Sequence, residues 1–212
     1  MTATSSPRRK FRDDRFLQVI AAVFVVAWII LAIKPVDRKD WFLENLLVFV
    51  AVPILVFTYR RFQFSRTSYF LIAAFMILHE VGAHYTYAKV PLGYWLKEVF
   101  NLERNHYDRL IHCGFGLLLT YSFFEILRRV ANIRGAWTYL LALAVIISAS
   151  NLFEIIEAII AIIVSPELGT EYLGTQGDIW DAQKDMAAAS VGAVCAALLT
   201  AFARRSPGTI AS

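Results

Sequence analysis

The sequence predicts an all-α membrane protein: a polytopic helical bundle of six transmembrane helices with both termini cytoplasmic. Three observations carry that expectation. The 212 residues are 58% apolar, 14% aromatic and only 18% charged, a balance too apolar for an ordinary soluble domain. The apolar residues fall into blocks of about 20, the length that crosses a bilayer as a helix. Between blocks the charges alternate in sign: the tails with the second and fourth loops hold 13 Lys/Arg against 3 Asp/Glu, the remaining loops and helix ends 8 against 14. An excess of Lys/Arg marks the cytoplasmic face. The net charge of +4 is therefore a topology signal, and nucleic acid is not an expected partner. The partner is the lipid bilayer.

Residues 1–14, with Arg8, Arg9, Lys10 and Arg12, form a basic cytoplasmic tail. Residues 15–205 form one six-helix transmembrane domain, and residues 206–212 a short C-terminal tail. The first span, Phe16 to Ile33, is longer than a signal-peptide core and has no small-residue cleavage site, so it stays as an anchor. The second covers Trp41 to Phe57 and the third Ser68 to Tyr87. Residues 88–105 read as a loop whose Tyr94-Trp95-Leu96 suits the membrane surface. The fourth span is His106 to Leu127. The fifth, Ala136 to Val164, is long enough to tilt or to project beyond the bilayer. Pro166 to Gly177 reads as an acidic loop, and the sixth span is Ile179 to Ala203. Cys113 and Cys195 fall inside spans and read as small packing residues.

With the N-terminus inside, the unusual polar residues collect at the outer helix ends. They are Glu44 and Asn45; His79, Glu80 and His84; His106, Asp108, Arg109 and His112; Asn151, Glu154 and Glu157; Asp178, Asp181, Lys184 and Asp185. Ionisable groups at membrane depth are costly and mark function. Glu80/His84, Asp108/His112 and Asp181/Asp185 are spaced i, i+4, which places each pair on one helix face. Imidazole and carboxylate groups projecting from facing helices are how bundles build metal sites, and a mixed N/O set suits zinc, manganese or iron.

The expected ligands of such a divalent transition metal are His79, Glu80, His84, Asp108, His112, Asp181 and Asp185. Glu154 is the expected general base or a further ligand, and Arg109 or Lys184 would hold an anionic head group. The reaction expected is metal-dependent hydrolysis or group transfer on a lipid or lipid-linked phosphate at the periplasmic side. The alternatives are a small proton-coupled transporter and a non-catalytic membrane subunit with a structural polar network. Plainer readings stand beside individual residues: His79 as a hydrogen-bonded core histidine, Asp178 as a helix N-cap, and Glu157 as a partner of Arg109 or Lys184. His79-Glu80-x-x-x-His84 is one residue too long for the zinc-protease spacing of two histidines at i, i+4.

Several stretches together resemble the YjdF family of bacterial inner-membrane proteins. They are Lys34-Pro-Val-Asp-Arg-Lys-Asp-Trp41, Glu44-Asn45, Gly82-Ala-His-Tyr-Thr-Tyr87, Arg104-Asn-His-Tyr-Asp-Arg109 with His112, and Gly174-Thr-Gln-Gly-Asp-Ile-Trp-Asp-Ala-Gln-Lys-Asp-Met186. The resemblance spans about residues 16 to 203 and implies a multi-pass protein of the inner (cytoplasmic) membrane. It carries no reaction with it. In the second half, Asp108-Arg109-x-x-His112, Glu154-x-x-Glu157 and Asp181-x-x-x-Asp185 are similar to VanZ-like proteins. Arg109, Glu157 and Asp185 depart from the Lys, Gln and Asn of that pattern.

Overall fold

The computed structural model describes residues 10–205. Residues 1–9, including Arg8 and Arg9 of the expected basic tail, and the expected tail 206–212 lie outside the described residues. After a short turn at Phe11–Asp13 come eight helices: α1 (Arg15–Leu31), α2 (Arg38–Thr58), α3 (Arg66–His84), α4 (Pro91–Val99), α5 (Tyr107–Arg129), α6 (Ala136–Ile163), α7 (Pro166–Leu173) and α8 (Asp181–Arg205). No strand occurs among the described residues.

The six apolar blocks correspond to α1, α2, α3, α5, α6 and α8. Of these, α2, α5, α6 and α8 are long and apolar enough to cross a membrane. Helix α1 is apolar but has 17 residues, and α3 interrupts its apolar run with His79, Glu80 and His84. The 28 residues of α6 extend about 42 Å at 1.5 Å per residue, beyond the ~30 Å hydrocarbon core.

Two expected loops contain helices. In place of a continuous acidic loop after Val164, Ser165 caps Leu168 N–H and Pro166 opens α7. A proline at the first helical position loses no hydrogen bond and has its φ preset. Gly174 then ends α7 in the left-handed conformation, φ 59°, where glycine bears no Cβ penalty. Helix α4 likewise begins at Pro91, and Gly93 sits so close to the Asn105 side chain that a Cβ there would overlap it.

Helix α5 is the centre of the bundle, packed on α3, α6 and α8. Its contact with α8 is a crossing of small residues. A Cβ on Gly116 would lie 2.0 Å from the Ala189 carbonyl oxygen, and one on Gly192 2.0 Å from that of Cys113. The two backbones thus touch at reciprocal glycines, and Ala189, Ala193 and Ala196 continue the buried seam. In a bilayer, where lipid tails are as apolar as leucine, such close packing is what holds helices together. Large apolar side chains on the outer faces of α2, α6 and α8, among them Phe57, Ile162 and Leu199, are exposed, as lipid-facing residues must be.

Candidate functional site

At one end of the bundle, the starts of α2, α5 and α8 meet the ends of α3 and α6, and most of the polar residues singled out above converge. They divide into three groups with different states of satisfaction.

The first is an ion-pair network that ties the start of α8 to the start of α5. Arg104 Nη1 donates to Asp181 Oδ1 at 2.5 Å and to the Thr175 carbonyl at 2.5 Å. Arg109 Nη2 reaches Asp178 Oδ2 at 2.5 Å and Asp181 Oδ1 at 3.0 Å. Lys184 Nζ donates to Asp178 Oδ2 at 2.7 Å. Hydrogen bonds from Lys184 and Arg109 hold the Asp178 carboxyl well below the usual carboxylate range. Arg109 also donates to His106 Nδ1 at 3.3 Å. Partial burial, followed by the charges of Arg109 and Arg104, lowers the His106 pKa. Asp178 is thus an ion-pair hub as well as the acceptor for Trp180 N–H. Asp181, expected as a ligand, is neutralised by two arginines. Arg109 and Lys184, expected to face a substrate anion, are already bound to aspartates. Spacing did not single out Arg104 or assign Asp178 this role, because the pairing of cation with anion is a tertiary fact.

The second group lies between α1, α2 and α3. His79 Nε2 is 3.1 Å from the Glu44 carbonyl oxygen, which can only accept, so Nε2 carries the proton and Nδ1 accepts from the Tyr87 hydroxyl. Both ring nitrogens are engaged, which is the core-histidine reading. His84 Nδ1 donates to the Leu31 carbonyl at 2.7 Å, closing the end of α1 onto α3. Glu80 is fully buried, with Oε2 3.4 Å from Asn45 Nδ2. Asn45 in turn accepts from Trp28 Nε1 at 2.7 Å. His79, Glu80 and His84 therefore do not join the cluster on α5 and α8.

That cluster is the third group. Asp108, His112 and Asp185 each present one ligand atom within 4.8 Å of the others. His112 Nε2 is 3.6 Å from Asp108 Oδ1 and 3.5 Å from Glu154 Oε1. These are too long for good hydrogen bonds. They are close to the ~3.3 Å that separates two ligands on a tetrahedral zinc with bonds of ~2.0–2.1 Å. Asp185 Oδ1 and Glu154 Oε1 are buried without a hydrogen-bond partner. The nearest cation to Asp185 is Arg109 Nε at 3.7 Å. Buried carboxylates need neutralising, and the cations here are mostly committed to Asp178 and Asp181. Protons or a bound cation must supply the balance. The donor set of one imidazole nitrogen and carboxylate oxygens fits a divalent transition metal.

Beside this cluster is a cavity of about 150 Å³. Its walls are mainly apolar, with Leu47, Phe75, Phe115 and Phe153, and its polar lining residues are Asp108, His112, Glu157, His79, Tyr87 and Ser150. Glu157 faces this cavity, and no ion pair joins it to Arg109 or Lys184 among the described residues.

A family described as "Predicted membrane protein (DUF2238)" matches residues 16–206. The chain belongs to this family. It is also 35% identical over 186 residues to the inner membrane protein YjdF of Escherichia coli (strain K12), covering 87% of this chain and 88% of that protein. No solved structure matches. Together with the apolar helices, this makes the protein a multi-pass, YjdF-like protein of the bacterial inner membrane.

Proposed function

We propose that this protein is a six-span inner-membrane enzyme, both termini cytoplasmic, that binds a divalent transition metal near its periplasmic face. We propose further that it uses the metal to hydrolyse or transfer a group of a lipid or lipid-linked phosphate. The observation that carries the reading is the spacing of His112 Nε2 from Asp108 Oδ1 and Glu154 Oε1, 3.6 and 3.5 Å, beside an unpartnered Asp185 oxygen. Asp108, His112 and Asp185 would hold the ion. A bound metal supplies a Lewis acid and a water acidic enough to ionise near neutral pH. Glu154, with its unpartnered oxygen facing His112, is placed to take that proton. Arg109 and Lys184 act here through Asp178 and Asp181, holding α8 against α5 so that Asp185 faces His112.

Transport by a proton relay needs titratable groups through the full depth of the bundle. Among the described residues the buried acid at the opposite end is Glu125, and it is fully engaged: Ser65 N–H and the Ser68 hydroxyl donate to it and Arg129 pairs with it. That favours chemistry at one face over conduction. Two experiments test the proposal. Single-cysteine labelling from outside intact spheroplasts should modify cysteines at Thr170 and Glu103 and leave one at Arg134 unmodified; the reverse pattern contradicts the orientation. Purified protein in vesicles containing lipid-linked phosphates should release phosphate or head group in a chelator-sensitive way, restored by zinc or manganese and absent in Glu154→Gln. Chelator-insensitive turnover, or none with any lipid phosphate, contradicts the chemistry.

A further inference from the structure

The walls of the cavity are complete on three sides. Helices α3, α5 and α6 pack in sequence, α3 on α5 and α5 on α6. On the fourth side stands α2, which packs on α3 and α7 and makes no extended contact with α6. Yet the cavity is lined by Leu47 from α2 and by Ala149, Phe153 and Glu157 from α6. The space between α2 and α6 is therefore a cleft that reaches the polar end of the cavity. Both helices carry exposed apolar side chains flanking the lining residues, Leu46 and Val50 on α2 and Leu152 and Ile156 on α6. In a membrane, such side chains border lipid and not water.

Helix α7 roofs this cleft. It folds back tightly on α6, for a Cβ on Gly169 would lie 2.5 Å from the Ala161 carbonyl oxygen. It also reaches α2, buries Tyr172, and is pinned by the Lys89–Glu171 ion pair. The outer end of the cleft is thus covered from the aqueous side while its flank faces the bilayer. The occupant that fits is a hydrocarbon chain: the walls are mainly apolar and aromatic, the ionisable groups come from the outer helix ends, and the open side faces lipid.

We propose that the substrate's hydrocarbon chain enters sideways from the outer leaflet between α2 and α6, beneath α7, and lies against Leu47, Phe75, Phe115 and Phe153. Its head group then meets Asp108 and His112. This inference rests on the cavity of the proposed enzyme site but not on the metal. The class of ligand it names is a single acyl or isoprenoid chain bearing a polar head, with no requirement for access from water.

The test uses the full-length protein in vesicles of phosphatidylethanolamine and phosphatidylglycerol carrying a phospholipid with a diazirine at its acyl terminus. After illumination, adducts are mapped by peptide mass spectrometry. Saturable adducts are expected at Leu47, Phe75 or Phe115, alongside non-saturable labelling of the outward-facing Leu198 and Phe202 on α8. Ala149→Trp, which fills the cavity, should lower the interior adducts about tenfold and leave those on α8 unchanged. Leu47→Trp provides the same test should the first variant fail to fold, as judged by its thermal transition. Stripping bound metal with a chelator should keep the interior adducts, so loss of the metal and loss of the chain site are read separately. Interior positions that stay unlabelled, or that change in step with α8 in the filled variants, would overturn the inference. So would labelling by a small water-soluble diazirine with none from the anchored chain.

Discussion

The two ends of this bundle treat a buried acid in opposite ways. At the end where α3 starts and α5 finishes, Glu125 accepts from Ser65 N–H on both carboxylate oxygens, at 2.9 and 3.0 Å, and from the Ser68 hydroxyl at 2.6 Å, and it pairs with Arg129. At the other end Asp185 and Glu154 each keep a buried oxygen with no partner, and so do Glu80 and Asp40. A satisfied buried carboxylate is a staple between helices. An unsatisfied one costs free energy and persists where something outside the polypeptide, a proton, ion or substrate, completes it. Within the polar end the same contrast separates Asp178 and Asp181, wrapped by Arg104, Arg109 and Lys184, from Asp185 one turn further along α8.

Substitutions at the two kinds of acid should differ in cost. The largest effect belongs to Asp181→Ala, which strands the buried Arg104 and half of the Arg109 pairing. Removing one partner of a buried ion pair costs about 3–5 kcal/mol, read as a fall in the unfolding transition in detergent. Glu125→Ala should cost about 2–3 kcal/mol, from lost hydrogen bonds to a charged acceptor, the exposed Arg129 adding little. Asp185→Asn and Glu154→Gln should shift metal-free protein by less than about 1 kcal/mol, in either direction, because Asp185 Oδ1 and Glu154 Oε1 have no hydrogen bond to lose and glutamine keeps a group to meet Glu157. A loss as large as that of Asp181→Ala would place them among the staples.

Two groups of the ion-pair network should each add a smaller pH dependence. The depressed Asp178 contributes stability that is present above the ordinary carboxylate pKa of about 4 and is lost as pH falls below it; Asp178→Asn should remove that dependence. His106 has a lowered pKa. The unfolded chain therefore binds its proton first, and stability falls as pH drops below about 6.5. His106→Gln should abolish that part alone.

The apolar blocks marked α1, α2, α3, α5, α6 and α8 to within a few residues, because polar loops punctuate them, and four of the six are long and apolar enough to cross a membrane. Helices α4 and α7 were hidden inside short polar stretches, although Pro91 and the Ser165-Pro166 pair are start signals that in α7 carry a working cap. The i, i+4 spacing correctly set Asp108 beside His112. It failed for Glu80 and His84, since His84 is the last residue of α3 and its ring turns to the exposed carbonyl of Leu31 at the end of α1. Arg104 carried no signal in spacing at all: it lies outside the helices and meets Asp181 only when α8 folds against α5.

In the proposed site Asp108, His112 and Asp185 surround a metal ion, and His84 serves only as a link between helices. Metal analysis of full-length protein purified in detergent without chelator, compared with His112→Ala and His84→Ala, tests it most directly. The expected result is about one zinc, manganese or iron per chain in the wild type and in His84→Ala, and a loss of most of it in His112→Ala. Wild-type protein that neither retains nor takes up these ions, or a His112→Ala variant that holds them as firmly as the wild type, would contradict the account.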